Sequence, residues 1–207
     1  MEIAADTLDT DATYKLMTGL VVPRPIAWVT TRSPEGVVNL APFSAFTFVS
    51  NRPPMVGISV GRRAGERKDT GRNIHATREF VVNIPDDTMI EAVHLSAVEH
   101  EAHVSEVEEL GLATSACVDI SVPRLAGVPA SLECRLHRAI DFGEGGSEFL
   151  VGEVLRFHLR DGLLSGGKVD TRALRPICRL AGPHYALLGE IVTMRAIAQA
   201  SKNAGGG

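Results

Sequence analysis

The sequence has few cysteines and no long apolar run, and these absences exclude several classes of protein. Its three cysteines, Cys117, Cys134 and Cys178, show no C-x-x-C spacing, which disfavours a disulfide framework and a thiolate zinc site. We expect structural thiols rather than reactive ones. No apolar stretch reaches the roughly 18 residues of a membrane helix, and the N-terminus lacks the features of a signal peptide. The sequence therefore predicts a cytoplasmic protein without a membrane partner.

Basic residues are not in excess, and the common nucleotide-binding motifs are missing. A net charge of −4 argues against a nucleic-acid partner. No G-x-G-x-x-G follows a predicted strand and no G-x-x-x-x-G-K-[ST] is present, so any nucleotide cofactor would bind without a Rossmann unit or a P-loop. His94, His100 and His103 fit no standard ligand spacing, so we expect surface histidines and no metal site.

The sequence does contain a series of short strand-like runs separated by Pro and Gly. Strands are predicted at 26–31, 37–41, 43–50, 55–60, 79–84, 130–142 and 147–159, and helices at 10–20 and 69–78. The acidic segment 86–110 is predicted to form one or two exposed helices. Adjacent strand pairs with inserted helices indicate a mainly β fold, an antiparallel β-barrel. We expect one domain over residues 1–200, followed by a flexible Gly-rich tail at 201–207.

Two segments carry the strongest functional signal. Residues 37–46 form a strand-like run of small residues broken by Pro42, which lets a flat ligand approach the backbone. From Arg62 to Arg78 there are six basic and two acidic residues in an otherwise acidic chain. Asp69 and Thr70 begin the predicted helix there, where a hydroxyl and free N–H groups suit a phosphate monoester. A solvated loop is the alternative for this basic segment, but FMN, a planar ring with an anionic tail, would suit both segments.

The chain resembles the FMN-binding split-barrel family of flavin reductase-like proteins, also called flavoredoxin-like. The resemblance covers most of the chain and rests on the order and spacing of several pieces. These include RPIAWVTT at 24–31, NLAPFS at 39–44, KDT at 68–70, GEV at 152–154 and R-x-x-G-x-x-Y at 179–185. It implies a split β-barrel with inserted helices, and a homodimer with flavin at the subunit interface.

The resemblance also implies roles for individual residues. The flavin ring and ribityl chain would be lined, largely through backbone groups, by Thr30, Thr31, Asn39, Ala41, Pro42, Phe43 and Ser44. The phosphate would be held by Arg62, Lys68 and Thr70, with Asp69 and Asn73 in the same turn and helix. His158 and Tyr185 would lie near the flavin face where a nicotinamide stacks and would act in catalysis, although a histidine on a strand can equally be structural.

Two classes of function stay open. In the first, the protein is an NAD(P)H-dependent flavin reductase that passes electrons to FMN and supplies reduced flavin to a monooxygenase. In the second, it is an electron carrier with tightly bound FMN that a protein partner reduces. The residues do not distinguish NADH from NADPH, because nicotinamide is bound in this fold without a portable motif. A pyridoxamine-phosphate-oxidase-like enzyme is less favoured, since the basic and histidine pattern of that group is not evident.

Overall fold

A seven-stranded antiparallel sheet forms the centre of the computed structural model, which describes residues 1–195. Its strands are β1 (Ala27–Arg32), β2 (Val38–Phe43), β3 (Phe46–Asn51), β4 (Pro54–Val60), β5 (Glu79–Ile84), β6 (Ala130–Phe142) and β7 (Ser147–Leu159). Their order in the sheet is β2-β1-β5-β6-β7-β4-β3. The two edge strands, β2 and β3, are joined by only Ser44 and Ala45, so the sheet must curl until its edges meet. This geometry confirms the predicted mainly β barrel.

Helices and short strands surround the barrel. The helices are α1 (Thr10–Leu20), α2 (Asp69–Thr77), α3 (Ile90–Leu95), α4 (Glu106–Glu109) and α5 (Thr171–Leu174), with 3-10 turns at Ala5–Thr7 and Asp87–Met89. Two-residue ladders pair Arg62–Arg63 with Glu66–Arg67, Thr114–Ser115 with Arg124–Leu125, and Leu164–Ser165 with Lys168–Val169. None of the helices found in residues 1–195 has the length and apolar character needed to cross a membrane. The predicted tail at 201–207 lies outside the described residues.

Both faces of β1 are buried, and this explains why its first three residues are apolar without alternation. Ala27 and Val29 point into the barrel core, whereas Trp28 packs in a second apolar cluster outside the barrel. The Trp28 ring N–H donates a hydrogen bond to Ser96 Oγ at 2.8 Å. Val93 of α3 is buried in the same cluster. The segment 86–110 therefore forms two short helices, as predicted, but each has a buried face against the sheet instead of being exposed throughout.

A small three-stranded sheet lies beside the barrel. It consists of Arg24–Pro25, Ile177–Arg179 and Tyr185–Leu187, all antiparallel. In its register Arg24 is directly opposite Arg179, and Arg179 is directly opposite Tyr185. This sheet brings the segment before β1 together with a segment about 150 residues later in the chain. It therefore places the predicted R-x-x-G-x-x-Y piece next to the start of the barrel.

Candidate functional site

The first cavity lies where α2 begins, between that helix, strand β2 and the segment 96–100. Its volume is about 220 Å³. Strand β2 contributes Asn39, Ala41, Pro42 and Phe43, four of the residues predicted to line a ligand. The other lining residues are Arg63, Glu66, Arg67, Lys68, Asp69, Thr70, Arg72, Ser96, Ala97, Val98, Glu99, His100 and Glu106. The two segments that carry the strongest sequence signal thus meet in one cavity.

Among the lysine and arginine side chains that line the first cavity, all have an ion-pair partner in the described chain except Lys68. Arg72 pairs with Asp69, and Arg63 pairs with Glu99 at 2.9 Å. Lys68 is exposed and forms no ion pair within residues 1–195. It is also the N-cap residue of α2, and its side chain does not cap that helix. An ammonium group and the uncapped end of a nine-residue helix therefore converge on this cavity, which is the donor set that an anion requires.

A buried network of polar side chains fixes the start of α2 against the sheet. The Thr70 hydroxyl donates to Asn39 Oδ1 at 3.0 Å, so that hydroxyl is directed into the protein. Asn39 Nδ2 in turn donates to Glu106 Oε2 at 2.9 Å, and the same oxygen accepts the Leu40 backbone N–H at 2.9 Å. Glu106 of α4 is 8% exposed. The network therefore joins α2, β2 and α4 around one side of the cavity.

Glu148 of β7 holds Arg67 at the opposite side. Arg67 Nη2 donates to Glu148 Oε1 at 2.8 Å, Arg67 Nε lies 2.9 Å from Oε2, and His75 Nε2 lies 3.1 Å from Oε1. The hydrogen bonds from Arg67, with a smaller contribution from His75, hold the pKa of Glu148 below its ordinary value despite burial. Because Glu148 is 3% exposed and Arg67 lines the cavity, the carboxylate fixes the position of this guanidinium.

We expect Glu148→Gln to weaken the acid dependence of stability. The lowered pKa of the folded carboxyl means that its stabilisation is fully present above the unfolded value of about 4.3 and is lost as the pH falls through the folded pKa. At pH 7 the variant should lose only about 1 kcal/mol, since Arg67 is partly solvent-exposed. Urea unfolding at pH 7 and at several pH values below 4.5 measures both effects, with exposed Glu144→Gln as the control. If the free energy of unfolding falls equally steeply with pH below 4.5 in both variants, the lowered pKa of Glu148 is contradicted.

The second cavity, of about 300 Å³, adjoins the first. The two share Pro42 and Ala97 as lining residues. Ser44 and Tyr185, both predicted site residues, line the second cavity and not the first. The Tyr185 hydroxyl accepts a hydrogen bond from Arg179 Nη1 at 2.6 Å and lies 3.3 Å from His94 Nδ1. A ligand in the first cavity could therefore extend past Pro42 toward Tyr185.

Other predicted binding residues surround the cavities without lining them. The Thr30 side chain is fully buried and donates to the Pro123 carbonyl at 2.7 Å. The Thr31 hydroxyl accepts from Asn73 Nδ2 at 3.1 Å, behind Asn39. Both threonine side chains thus have partners inside the protein, and Asn73 supports the strand from α2.

The structure does not place Arg62 at the cavity. Its Nε donates to the Gly146 carbonyl at 2.8 Å and its Nη1 to the Gly65 carbonyl at 3.2 Å, so the guanidinium holds two turns together. The neighbouring Arg63 and Arg67 line the cavity instead. Arg62 and Arg67 are directly opposite each other in this short hairpin, so strand alternation does not separate them. Their partners do, because Arg62 contacts the two carbonyls and Arg67 contacts Glu148, and composition does not reveal these distant contacts.

His158 belongs to a different cluster and lines neither cavity. Its Nε2 lies 2.5 Å from Oε1 of Glu133, a fully buried carboxylate that also accepts the backbone N–H groups of Val118 and Asp119. Burial raises the pKa of Glu133, but these N–H groups and His158 together hold it below its ordinary value. The thiol of Cys117 lies in the same group, and burial beside Glu133 raises its pKa to about 12. This arrangement favours a structural histidine, and the catalytic role of His158 stays a prediction.

Sequence reasoning did not single out Glu106 or the residues 96–100 for this site. They follow β2 by more than 50 residues and reach it only through the packing of α3 and α4. A lone glutamate in an acidic segment gives no local signal of its burial. Ser105, the N-cap residue of α4, could have suggested that a helix starts at Glu106, but nothing local indicates that Glu106 contacts Asn39.

Comparison with known proteins identifies the family. The family model of the flavin reductase like domain matches residues 18–174. The chain is similar to nitrilotriacetate monooxygenase component B from Bacillus cereus, with 40% identity and a TM-score of 0.91 over 94% of this chain and 98% of that one. It is also similar to the 2-nitrobenzoate 2-nitroreductase NbaA of Pseudomonas fluorescens, with 32% identity and a TM-score of 0.86 over 99% and 100%.

A more distant comparison concerns the fold. A Shewanella frigidimarina protein with a split barrel domain superposes with a TM-score of 0.83 at 18% identity, over 95% of this chain and 100% of that one. This likeness supports the split form of the barrel that the sequence resemblance implied. Together with the family match over most of the sequence, it leads to one conclusion: the chain belongs to the flavin reductase-like family.

Proposed function

We propose that the first cavity binds FMN and that the protein is an NAD(P)H-dependent flavin reductase. The observation that carries this proposal is the uncapped N-terminus of α2 beside unpaired Lys68, opening onto the small-residue stretch of β2. The similarity to a monooxygenase component and to a nitroreductase supports an oxidoreductase. Supply of reduced flavin to a monooxygenase partner is part of the proposal.

The residues present fit FMN at both of its ends. The phosphate would be held by Lys68 and by backbone N–H groups at Asp69 and Thr70, where the helix dipole favours an anion. Thr70 acts through its backbone, because its hydroxyl already donates to Asn39. The ring and ribityl chain would lie along Ala41, Pro42 and Phe43, whose side chains leave room for contact with the backbone.

In this proposal the reductant would bind in the second cavity, beside the flavin ring. Bound FMN would supply a group that accepts a hydride from NADH or NADPH and passes electrons to an acceptor. Pro42, Ser44 and Tyr185, which line this cavity, would position the hydride donor against the ring. Proton transfer requires no dedicated residue in this proposal, which agrees with the position of His158 outside the two cavities.

Anaerobic titration of the purified protein with NADH and with NADPH tests the function. We expect a yellow protein whose flavin absorbance bleaches with one or both reductants. A yellow protein that does not bleach would support the alternative, an electron carrier with tightly bound FMN reduced by a protein partner. A protein that neither contains nor takes up FMN would exclude both.

We expect Lys68→Ala to weaken FMN binding by about 1.5–3 kcal/mol, the range for a lost hydrogen bond to a charged group. The effect should be specific for the phosphate, so riboflavin affinity should change little. Quenching of flavin fluorescence measures both affinities. Lys168→Ala, a change at an exposed residue in a short hairpin, is the matched control. Equal FMN affinity in the two variants would remove Lys68 from the site.

We also propose a homodimer. Helix α1 exposes Tyr14, Met17 and Leu20, and the edge strand β3 exposes Phe48 at 81%. A dimer contact would remove these apolar side chains from water. The single domain over 1–200, the cytoplasmic location and the absence of nucleic-acid and membrane partners stay predictions.

A further inference from the structure

The second cavity is lined by two arginines and by no acidic residue among those the structure describes. Its other lining residues are Tyr14, Thr18, Ile26, Pro42, Ser44, Ala97, Leu180, Gly182 and Tyr185. Neither Arg24 nor Arg179 forms an ion pair within residues 1–195. The first cavity, by contrast, includes the acidic residues Glu66, Asp69, Glu99 and Glu106.

The two arginines are also placed directly opposite each other. Arg24 and Arg179 are partners in the register of the small sheet, and like charges at directly opposed positions destabilise a strand pair. A negatively charged group bound in the second cavity, next to both arginines, would offset this repulsion. An anion in the second cavity would therefore be attracted by both positions.

Arg24 and Arg179 differ in the number of N–H donors that are free to bind a ligand. The Arg24 guanidinium donates to the carbonyls of Thr18, Val21 and Leu180 and, through Nε, to Ser44 Oγ, so four of its five N–H groups are engaged. Arg179 uses Nη1 for the Tyr185 hydroxyl and Nη2 for the Gly182 carbonyl. Its Nε–H has no acceptor in the described chain, and its Cζ lies 4.7 Å from the centre of the Tyr185 ring. Arg179 is thus held in place with donor capacity to spare.

We propose that the second cavity selects a planar co-substrate that carries an anionic group, and that Arg179 is the residue that selects for the negative charge. This inference rests on the proposed function, in which FMN fills the adjoining first cavity. Pro42 and Ala97 line both cavities, so a planar group held near Tyr185 lies beside the flavin while its anion reaches Arg179. The anion is either the carboxylate of an aromatic acid or the phosphate of a reduced nicotinamide nucleotide. A bidentate guanidinium suits both.

The carboxylate arm of the test compares benzoate with its neutral analogue benzamide on the FMN-loaded protein. Perturbation of the visible flavin spectrum measures the dissociation constant of each compound. We expect benzoate to bind at least about tenfold more tightly than benzamide, which corresponds to about 1.4 kcal/mol. Arg179→Gln should abolish this preference, and Arg179→Lys should retain part of it.

The phosphate arm compares reduced nicotinamide mononucleotide with the phosphate-free reduced riboside as hydride donors. If the anion is the phosphate, Arg179→Gln should raise the half-saturating concentration of the mononucleotide about tenfold and leave that of the riboside unchanged. A charge preference in only one arm identifies which anion the cavity takes.

Three controls separate this proposal from a structural role of Arg179. Tyr185→Phe removes the hydroxyl that Arg179 contacts and should keep the charge preference. Arg156→Gln changes an exposed arginine paired with Asp119, outside both cavities, and should have no effect. If Arg179→Gln does not fold, the proposal is tested by the charge preference of the wild-type protein in the two arms and by its partial retention in Arg179→Lys. A wild-type protein that retains FMN and shows no charge preference in either arm overturns this inference alone, whereas a protein that never binds FMN overturns the proposed function with it.

Discussion

Gly152→Val should destabilise the protein by about 3 kcal/mol or more, because the barrel has no space for a side chain at this position. A Cβ atom at Gly152 would lie 2.4 Å from Cζ and 2.7 Å from Cε1 of Phe80, and 3.2 Å from Cβ of Cys134. Phe80 is fully buried between neighbouring strands, so its ring cannot swing into solvent. Because valine favours strand conformation, a loss of stability in this variant comes from the clash and not from the backbone preference of the new residue. Urea unfolding measures the change in the free energy of unfolding.

The matched control is Gly145→Val in the β6–β7 hairpin, where a Cβ would meet no atom within 4 Å. That variant should remain close to the wild type in stability. The double variant Gly152→Val/Phe80→Leu should recover part of the loss, since a smaller side chain at position 80 relieves the overlap. Equal stability of the two glycine variants would mean that the barrel core adapts to the added volume.

The barrel could be predicted because its information is local. Strands β5, β6 and β7 have the predicted bounds, and α1 has the predicted bounds as well. Turn residues and β-branched runs specify such elements within a few positions. Helix α2 ends one residue earlier than expected, at Thr77, because Arg78 takes a left-handed conformation with φ of 65°. The GEV piece at 152–154 also gains a physical reason, since its glycine leaves the space that Phe80 fills.

The site was predictable only in part. The β2 stretch and the turn at Lys68–Thr70 were visible in the sequence, because a proline in a strand and a cationic helix start are local features. The direction of each side chain was not visible. Thr70 points its hydroxyl to Asn39, Arg62 holds two turns, and Thr30 faces Pro123. These orientations are set by contacts between residues that are dozens of positions apart, which no local pattern encodes.

The same limit explains why Glu106 was missed. Its carboxylate contacts Asn39 and the Leu40 backbone across a separation of more than 60 residues. In the sequence, Glu106 is one of several acidic residues in 86–110, and most of the others are exposed. A buried carboxylate that accepts two hydrogen bonds becomes apparent only once α4 is packed against β2. Its position beside the first cavity makes it the link between the fold and the proposed flavin site.

We expect Glu106→Ala to lower the free energy of unfolding by about 2–5 kcal/mol. Two buried donors, Asn39 Nδ2 and the Leu40 N–H, would lose their acceptor, at about 1–3 kcal/mol each. Glu106→Gln keeps an acceptor oxygen and should lose less than half as much. Glu108→Ala, an exposed change on the same helix, should have almost no effect. Because Asn39 also accepts from Thr70 at the start of α2, we expect Glu106→Ala to retain FMN less tightly than Glu108→Ala. Urea unfolding and flavin fluorescence measure the two effects, and an alanine variant at 106 as stable as the one at 108 would show that this network does not support the site.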